Sequence, residues 1–220
     1  EYLAGRTPNP CNVCNRRIKW EALLEWAKEQ EAEYIATGHY ARIEHLPNGR
    51  YAIRNSVTAA KDQTYALYNL TQYQLAHTLM PLGGYEKPEI RELAKKAGLF
   101  TAEKADSQEI CFIPDDDYAG FIERETGKTF LPGNIVDSSG KVYGKHRGII
   151  HYTIGQRKGL GLALPKPAYV NALNVEKNEV VIGDNEELFT SRVTAKNINC
   201  MGVERFWEGQ EVFGKIRYSH

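Results

Sequence analysis

Residues 32–42 read Ala32-Glu33-Tyr34-Ile35-Ala36-Thr37-Gly38-His39-Tyr40-Ala41-Arg42. The segment 32–36 is short and apolar and reads as a buried strand. Thr37-Gly38-His39-Tyr40 follows at its carboxyl end. Upstream, Ile18, Ala22, Trp26, Leu23 and Ala27 recur at helical spacing, with Lys19, Glu21, Glu25, Lys28 and Glu29 largely elsewhere. That pattern predicts a helix over 18–30 with those apolar residues as its core face. Downstream, Asn48-Gly49 sets a hairpin between 51–54 and the segment before it. Residues 66–82 read as helix with a break at Pro81. Residues 89–97 read as a second helix, with Pro88 in its first turn and Gly98 as its stop. Helix and strand thus alternate over 1–110, the signature of an α/β layered domain with a parallel sheet. Ligands of such sheets bind just past the carboxyl ends of strands, which places Thr37–Tyr40 among the candidates. The bland alternative is a turn glycine beside a core histidine, and the residues do not choose between the two.

After 110 the texture changes. Residues 107–112 form a compact strand-like piece, 118–125 a short helix, and 134–136, 148–152, 168–175 and 179–182 read as strands. A small, mostly β domain is expected from 129 to 188. A third β region opens at Arg192 (192–198, then 211–219). The expected division is therefore 1–128, 129–188 and 189–220. The chain starts at Glu1 and stops inside a strand-like run, so it is expected to be cut from a longer protein.

Of the 220 residues, 42% are hydrophobic and 25% charged, and the net charge is zero, which excludes a disordered tail and any global pull towards nucleic acid. Cys11, Cys14, Cys111 and Cys200 are too few for a disulfide scaffold, and with no signal peptide they suggest a reducing, cytoplasmic setting. No apolar run approaches the roughly 18 residues a membrane helix needs.

Chemistry concentrates in Gly5-Arg6-Thr7-Pro8-Asn9-Pro10-Cys11-Asn12-Val13-Cys14-Asn15-Arg16-Arg17. This reads as a stiff loop entering a helix, with two thiols beside fixed positive charge, a setting that favours thiolate. A lone CxxC serves zinc sites, iron–sulfur sites and redox pairs alike. Cys111, in Ser-Gln-Glu-Ile-Cys-Phe (107–112), reads first as a packing residue; nearness to Cys14 would admit it to persulfide and disulfide chemistry. Residues 138–175 hold Lys141, Lys145, Arg147, Arg157, Lys158 and Lys166 and no Asp or Glu. Such a run can be solvated surface. Its interleaved aromatics and the glycines of Gly155-Gln156-Arg157-Lys158-Gly159-Leu160-Gly161 favour contact with a phosphate backbone.

GRTPNPCNVCN (5–15), ATGHYAR (36–42), KDQTYAL (61–67), KADSQEICF (104–112), GIIHYTIGQRKGLG (148–161) and KIRYSH (215–220) occur together, in this order, in one family. The chain resembles the tRNA-specific 2-thiouridylases over nearly its whole length. The resemblance implies a PP-loop ATP pyrophosphatase-like (Rossmann-like) α/β domain, a small mostly-β domain and the start of a β-barrel. It implies a monomeric cytoplasmic enzyme that uses ATP with magnesium to adenylate the C2 oxygen of the wobble uridine, then replaces that oxygen with sulfur. Sulfur would arrive through a persulfide carrier protein fed by a cysteine desulfurase. Cys111 would carry the persulfide and Cys14 would be its nucleophilic partner, resolving it as a Cys14–Cys111 disulfide. Asn9, Pro10 and Cys11 would face the target base. Gly38 would contact ATP. His39, Lys61, Asp62, Gln63, Arg217 and Tyr218 would contact tRNA, with Arg157 and Lys158 added from the basic run. The family's phosphate loop is not in these 220 residues, so the chain alone is not expected to turn over. Cys11 stands where some relatives carry Asp, and with Cys14 and Cys111 it could complete a three-thiol iron–sulfur site. A tRNA-binding module without catalysis, or a metal-binding CxxC protein, are the other readings.

Overall fold

The structure, a computed structural model, describes residues 1–103, 111–113, 115 and 117–216. The chain divides into two compact units: Glu1–Asn9 with Ser107–Ala195, and Pro10–Asp106 with Lys196–His220. Both are mixed α/β, and none of the sheets closes on itself.

In the unit that starts at Pro10, one helical run carries the thiols: α1 (Pro10–Cys14), a π-helical segment (Asn15–Ala22) and α2 (Leu23–Glu29). The helix begins eight residues before the expected Ile18, so Cys11 and Cys14 lie on it rather than in a loop. The face it buries is also not the expected one. Trp20 is 1% exposed, and Leu24 and Ala27 are buried with it, whereas Ile18 is 61% and Trp26 57% exposed. Trp20, Leu24 and Ala27 are themselves an i, i+4, i+7 set, a second face with helical spacing. Upstream, the π segment bonds from i to i+5, as from Leu23 N–H to the Ile18 carbonyl, which carries the buried face back to Asn15. Asn15 and Trp20, five apart, are both buried.

The strand β1 (Ile35–Ala36) pairs in parallel with β4 (Thr78–Leu79), and β2 (Ala41–His45) pairs antiparallel with β3 (Tyr51–Asn55) around the expected Asn48-Gly49 turn. The helix expected over 66–82 is not formed. Thr71 and Gln74 make a capping box that starts a short α3 (Gln72–Ala76), and Thr78-Leu79 then extends to meet β1. Leu67, Leu70, Leu75 and Met80 from this irregular segment join Trp20, Leu24 and Ile35 in one core. Gly83 has no substitute there: a Cβ would stand 1.8 Å from the Ala41 carbonyl oxygen. The helix α4 (Lys87–Lys96) forms as read, with Pro88 in its first turn and Gly98 at φ +66° after its end.

In the other unit, α5 (Tyr118–Thr126) is capped by Asp117 and stopped by Gly127. The strands β5 (Gly133–Val136), β6 (Val142–His146), β7 (Tyr169–Asn174) and β8 (Glu179–Gly183) form one sheet in the order β6-β5-β8-β7. The β5–β6 turn is built by Asp137, whose Oδ1 accepts from the Ser139 hydroxyl and from the Ser139 and Lys141 N–H groups. These bonds, the Ser139 hydroxyl first, hold its carboxyl down at about 2. The strand expected at 148–152 is instead a 3-10 turn, Ile149–His151. Ile149, Ile150 and Tyr152 all enter one core, which a strand's alternating faces do not permit. Residues 192–216 hold no strand; they are largely exposed and meet no pairing edge among the described residues. No helix among the described residues is long and apolar enough to cross a membrane.

Truncating Trp20 to Ala is expected to cost about 3–5 kcal/mol, whereas Trp26→Ala stays within about 0.5 kcal/mol. Urea unfolding of both variants checks this, and equal losses would contradict the phase of the helix.

Candidate functional site

The thiol-bearing helix is fastened from one side. Asn15 is buried, and its Nδ2 donates to the Ala66 carbonyl at 2.9 Å. Asn69 Nδ2 donates to the carbonyl of Asn12, between the two cysteines, at 3.2 Å. The Lys61–Leu67 motif and the CxxC motif are thus one piece of structure, 50 residues apart in sequence. A cleft of about 780 Å³ opens beside them, lined by Asn12, Asn55, Asp62, Tyr65, Tyr68 and Phe213 among others. None of the four cysteines is in a disulfide; Cys11 is exposed and Cys14 partly buried. The positive charge expected beside them is only partly offset: Arg16 and Arg17 share the one carboxylate of Glu21, at 3.3 and 2.9 Å. Of the residues expected at the target base, Pro10 and Cys11 lie on α1, and Asn9 ends the strip grouped with the other unit.

Thr37, Gly38 and His39 follow β1, where the sheet rule puts a ligand. Gly38 is exposed and its space is open: a Cβ would meet only Leu82 Cδ1, at 3.7 Å. Backbone approach of a nucleotide is sterically allowed here, so the position fits the ATP contact implied for it. His39 is held between Thr37 Oγ1, 3.0 Å from Nδ1, and Lys19 Nζ, 3.4 Å from Nε2, with Trp20 tilted 5.3 Å away. Burial, and then the Lys19 charge, lower its pKa to about 4, so it is a neutral imidazole at pH 7.

The neighbouring Asp62 and Gln63 serve the loop itself. Asp62 accepts from the Ser56 N–H at 2.8 Å and from the Thr64 N–H at 3.1 Å, and also takes the Thr64 hydroxyl. Gln63 Oε1 accepts from the Tyr40 N–H at 2.9 Å, and its own N–H donates to the Tyr40 carbonyl at 2.9 Å. Lys61 precedes them at the end of a 3-10 turn.

In the β-rich unit, the glycine-punctuated loop is built to present cations. Gln156 accepts the Thr153 N–H at 3.0 Å and donates to the Lys158 carbonyl at 2.9 Å, while Gly155 and Gln156 bond the backbone of Val170 on β7. Leu160 is buried beyond. Between these anchors Arg157 and Lys158 are exposed. Lys166 pairs with Asp184 at 2.7 Å. His146, within the same stretch, is a core residue: Gly148 N–H donates to its Nδ1, so the proton is on Nε2, which donates to the Asn178 carbonyl at 3.0 Å.

Cys111 is exposed in a turn, and the residues before it, 104–110, lie outside those described, as do Arg217 and Tyr218. Among the described residues no group of three His, Cys, Asp or Glu could hold a metal ion. The positioning roles of Asn15 and Asn69 escaped sequence reasoning, because a side-chain bond to a distant carbonyl leaves no local pattern. The Thr71-x-x-Gln74 spacing is a capping-box signal that the helix reading of 66–82 passed over.

His39 supplies a test of the site's burial. Its folded pKa lies below the ordinary 6.5, so the folded state binds fewer protons and stability falls as pH drops from about 6.5 towards 4. A proton NMR titration should find the His39 midpoint near 4, and His39→Gln should remove that part of the pH slope. A midpoint at 6.5 would contradict the enclosed, Lys19-flanked setting.

Comparison with known proteins places these observations in a family. Residues 1–115 match the tRNA methyl transferase HUP domain, and 119–184 the tRNA methyl transferase PRC-barrel domain. Among curated relatives, a protein named tRNA-specific 2-thiouridylase MnmA from Lachnoclostridium phytofermentans is 62% identical over 220 residues, all of this chain and 62% of the relative. Those of the same name from Acetivibrio thermocellus and Clostridium acetobutylicum are each 54% identical, over all of this chain and 61% of their own length. The chain thus spans about three fifths of the length of these relatives. With the HUP match covering more than half of its residues and the PRC-barrel match following directly, the chain belongs to the tRNA methyl transferase HUP-domain family.

Proposed function

We propose that the protein to which these 220 residues belong is a tRNA 2-thiouridylase, a sulfurtransferase that replaces the C2 oxygen of the wobble uridine by sulfur. The observation that carries this reading is the fastening of the Lys61–Leu67 motif onto the cysteine helix beside an aromatic-lined cleft. A base taken out of its stack needs such a recess, with apolar rings for its faces and polar groups for its edge. The 2-thiouridylase name borne by relatives identical at more than half of the aligned positions supports the same substrate.

In this reading Cys111 receives sulfur as a persulfide from a carrier protein fed by a cysteine desulfurase. The Cys14 thiolate attacks Cys111 Sγ. The sulfur–sulfur bond of the persulfide breaks, hydrosulfide is released towards the base, and a Cys14–Cys111 disulfide remains. ATP, bound with magnesium, supplies the adenylyl group that makes the C2 oxygen a leaving group, and Gly38 offers it backbone. Asn9, Pro10 and Cys11 bound the base. His39, Lys61, Asp62 and Gln63 meet the tRNA, as do Arg217 and Tyr218. Arg157 and Lys158 grip phosphates, which reads a folded RNA by shape rather than sequence. The functional division into 1–128, 129–188 and 189–220 and a cytoplasmic, monomeric enzyme complete the proposal.

Nucleoside mass spectrometry of tRNA made with the full-length protein should show 2-thiouridine lost in Cys14→Ser and in Cys111→Ser; thiolation retained in both overturns the assignment. Charge reversal of Arg157 and Lys158 to Glu should weaken tRNA binding and reduce the slope of log affinity against log salt by about two, one per phosphate contact. An unchanged slope removes the loop from the interface.

A further inference from the structure

Cys11 and Cys14 share one turn. They are three residues apart on α1, and residues at that spacing are neighbours on one helix face. Regular helix geometry puts their Cα atoms about 5 Å apart. That lies inside the roughly 4.4–6.8 Å a disulfide spans. Their Cβ atoms, about 5–6 Å apart on a regular turn, exceed the separation a disulfide prefers, so closure tightens the turn. A disulfide formed at that expense is a labile one, of the kind that serves as a transient rather than a staple.

The two thiols are not equivalent. Cys14 is partly buried, at the join to the π segment, beside Asn15 and its bond to Ala66. Asn12, between them, is held through its carbonyl by Asn69. Cys11 is the exposed member. One thiol is placed for chemistry in the site, and its neighbour is open to solvent and to a reductant.

We propose that Cys11 is the resolving thiol of Cys14. When Cys14 has entered a disulfide with another sulfur, the Cys11 thiolate attacks Cys14 Sγ. The bond from Cys14 to the other sulfur breaks, that sulfur leaves as thiolate, and a Cys11–Cys14 disulfide forms. A cellular thiol reductant then supplies two electrons and two protons and returns both thiols. This rests on the sulfur-transfer reading above, under which the sulfur released is that of Cys111. Cys111 becomes free to accept a new persulfide before the reductant has acted. It also gives the cysteine at position 11 a task that an aspartate there could not perform.

Trypsin releases Thr7–Arg16 as one peptide carrying both cysteines. The full-length protein, and its Cys111→Ser variant, are treated with oxidised glutathione, quenched in acid, alkylated and digested. The expected product in both is peptide 7–16, unalkylated and lighter by about 2 Da for the two hydrogens lost on closure, and restored by dithiothreitol. In Cys11→Ser, Cys14 should instead accumulate joined to glutathione or to another cysteine-bearing peptide, at least tenfold above wild type. Wild-type protein in which Cys14 holds glutathione while Cys11 is alkylated overturns the proposal, as does a Cys11→Ser protein whose Cys14 adducts match wild type. The measurement uses no tRNA. Closure of the peptide in a protein that makes no 2-thiouridine would therefore leave the pair standing and remove the sulfur-transfer reading alone.

Discussion

The thiol-bearing unit depends on one buried indole. Trp20 is almost fully enclosed, and a Trp in that position must place its single N–H. It donates to Thr78 Oγ1 at 2.8 Å, Thr78 donates to the Gln74 carbonyl at 2.6 Å, and Gln74 Nε2 returns to the Trp20 carbonyl at 3.2 Å. The ring is closed, and each of these buried groups is satisfied by another. Through it the cysteine helix, the short α3 and the first residue of β4 are one object. Because β4 pairs with β1, the same ring fixes where Thr37, Gly38 and His39 emerge. The thiols and the end of the sheet are thus positioned by one closed, buried ring of hydrogen bonds.

The two units meet their charges differently. Around the thiols, Arg16 and Arg17 share the one carboxylate of Glu21, while Lys19 faces an imidazole that stays neutral. In the β-rich unit Arg157 and Lys158 are held outward by backbone bonds of their own loop, with no acidic residue from 138 to 175 in sequence. Net zero charge conceals this division. On the proposed function, the outward cations of the second unit are the ones that meet a polyanion arriving from water.

Where local chemistry dictates structure, the sequence was legible. Pro88 and Gly98 bracket α4, Asn48-Gly49 turns β2 into β3, and β5, β7 and β8 follow their apolar runs. The strand β6 was missed because Val142-Tyr143-Gly144-Lys145-His146 has its buried residue only at the end. The helix face was misread because Ile18, Ala22 and Trp26 satisfy a helical spacing as well as Trp20, Leu24 and Ala27 do, and only packing decides between the two faces. The segment 66–82 was misread because its leucines satisfy a helical spacing, while the pairing of Thr78-Leu79 with β1 is a tertiary fact. For the site, the motifs marked the right segments. What they could not convey was that Asp62 and Gln63 shape the loop, that Glu21 occupies the arginines, or that Asn15 and Asn69 join two motifs.

The π segment acts as a phase shifter along the helix. A chain that lost one residue between Asn15 and Ala22 could relax to ordinary i→i+4 bonding and keep Leu24 and Ala27 in the core. The part upstream would then turn by about 100° about the axis, one residue's worth of rotation. Cys11 and Cys14 would still be helical, still be three apart, and would face another direction. The extra residue is an angular setting: it decides which way the thiols look while leaving the hydrophobic seam to decide where the helix lies.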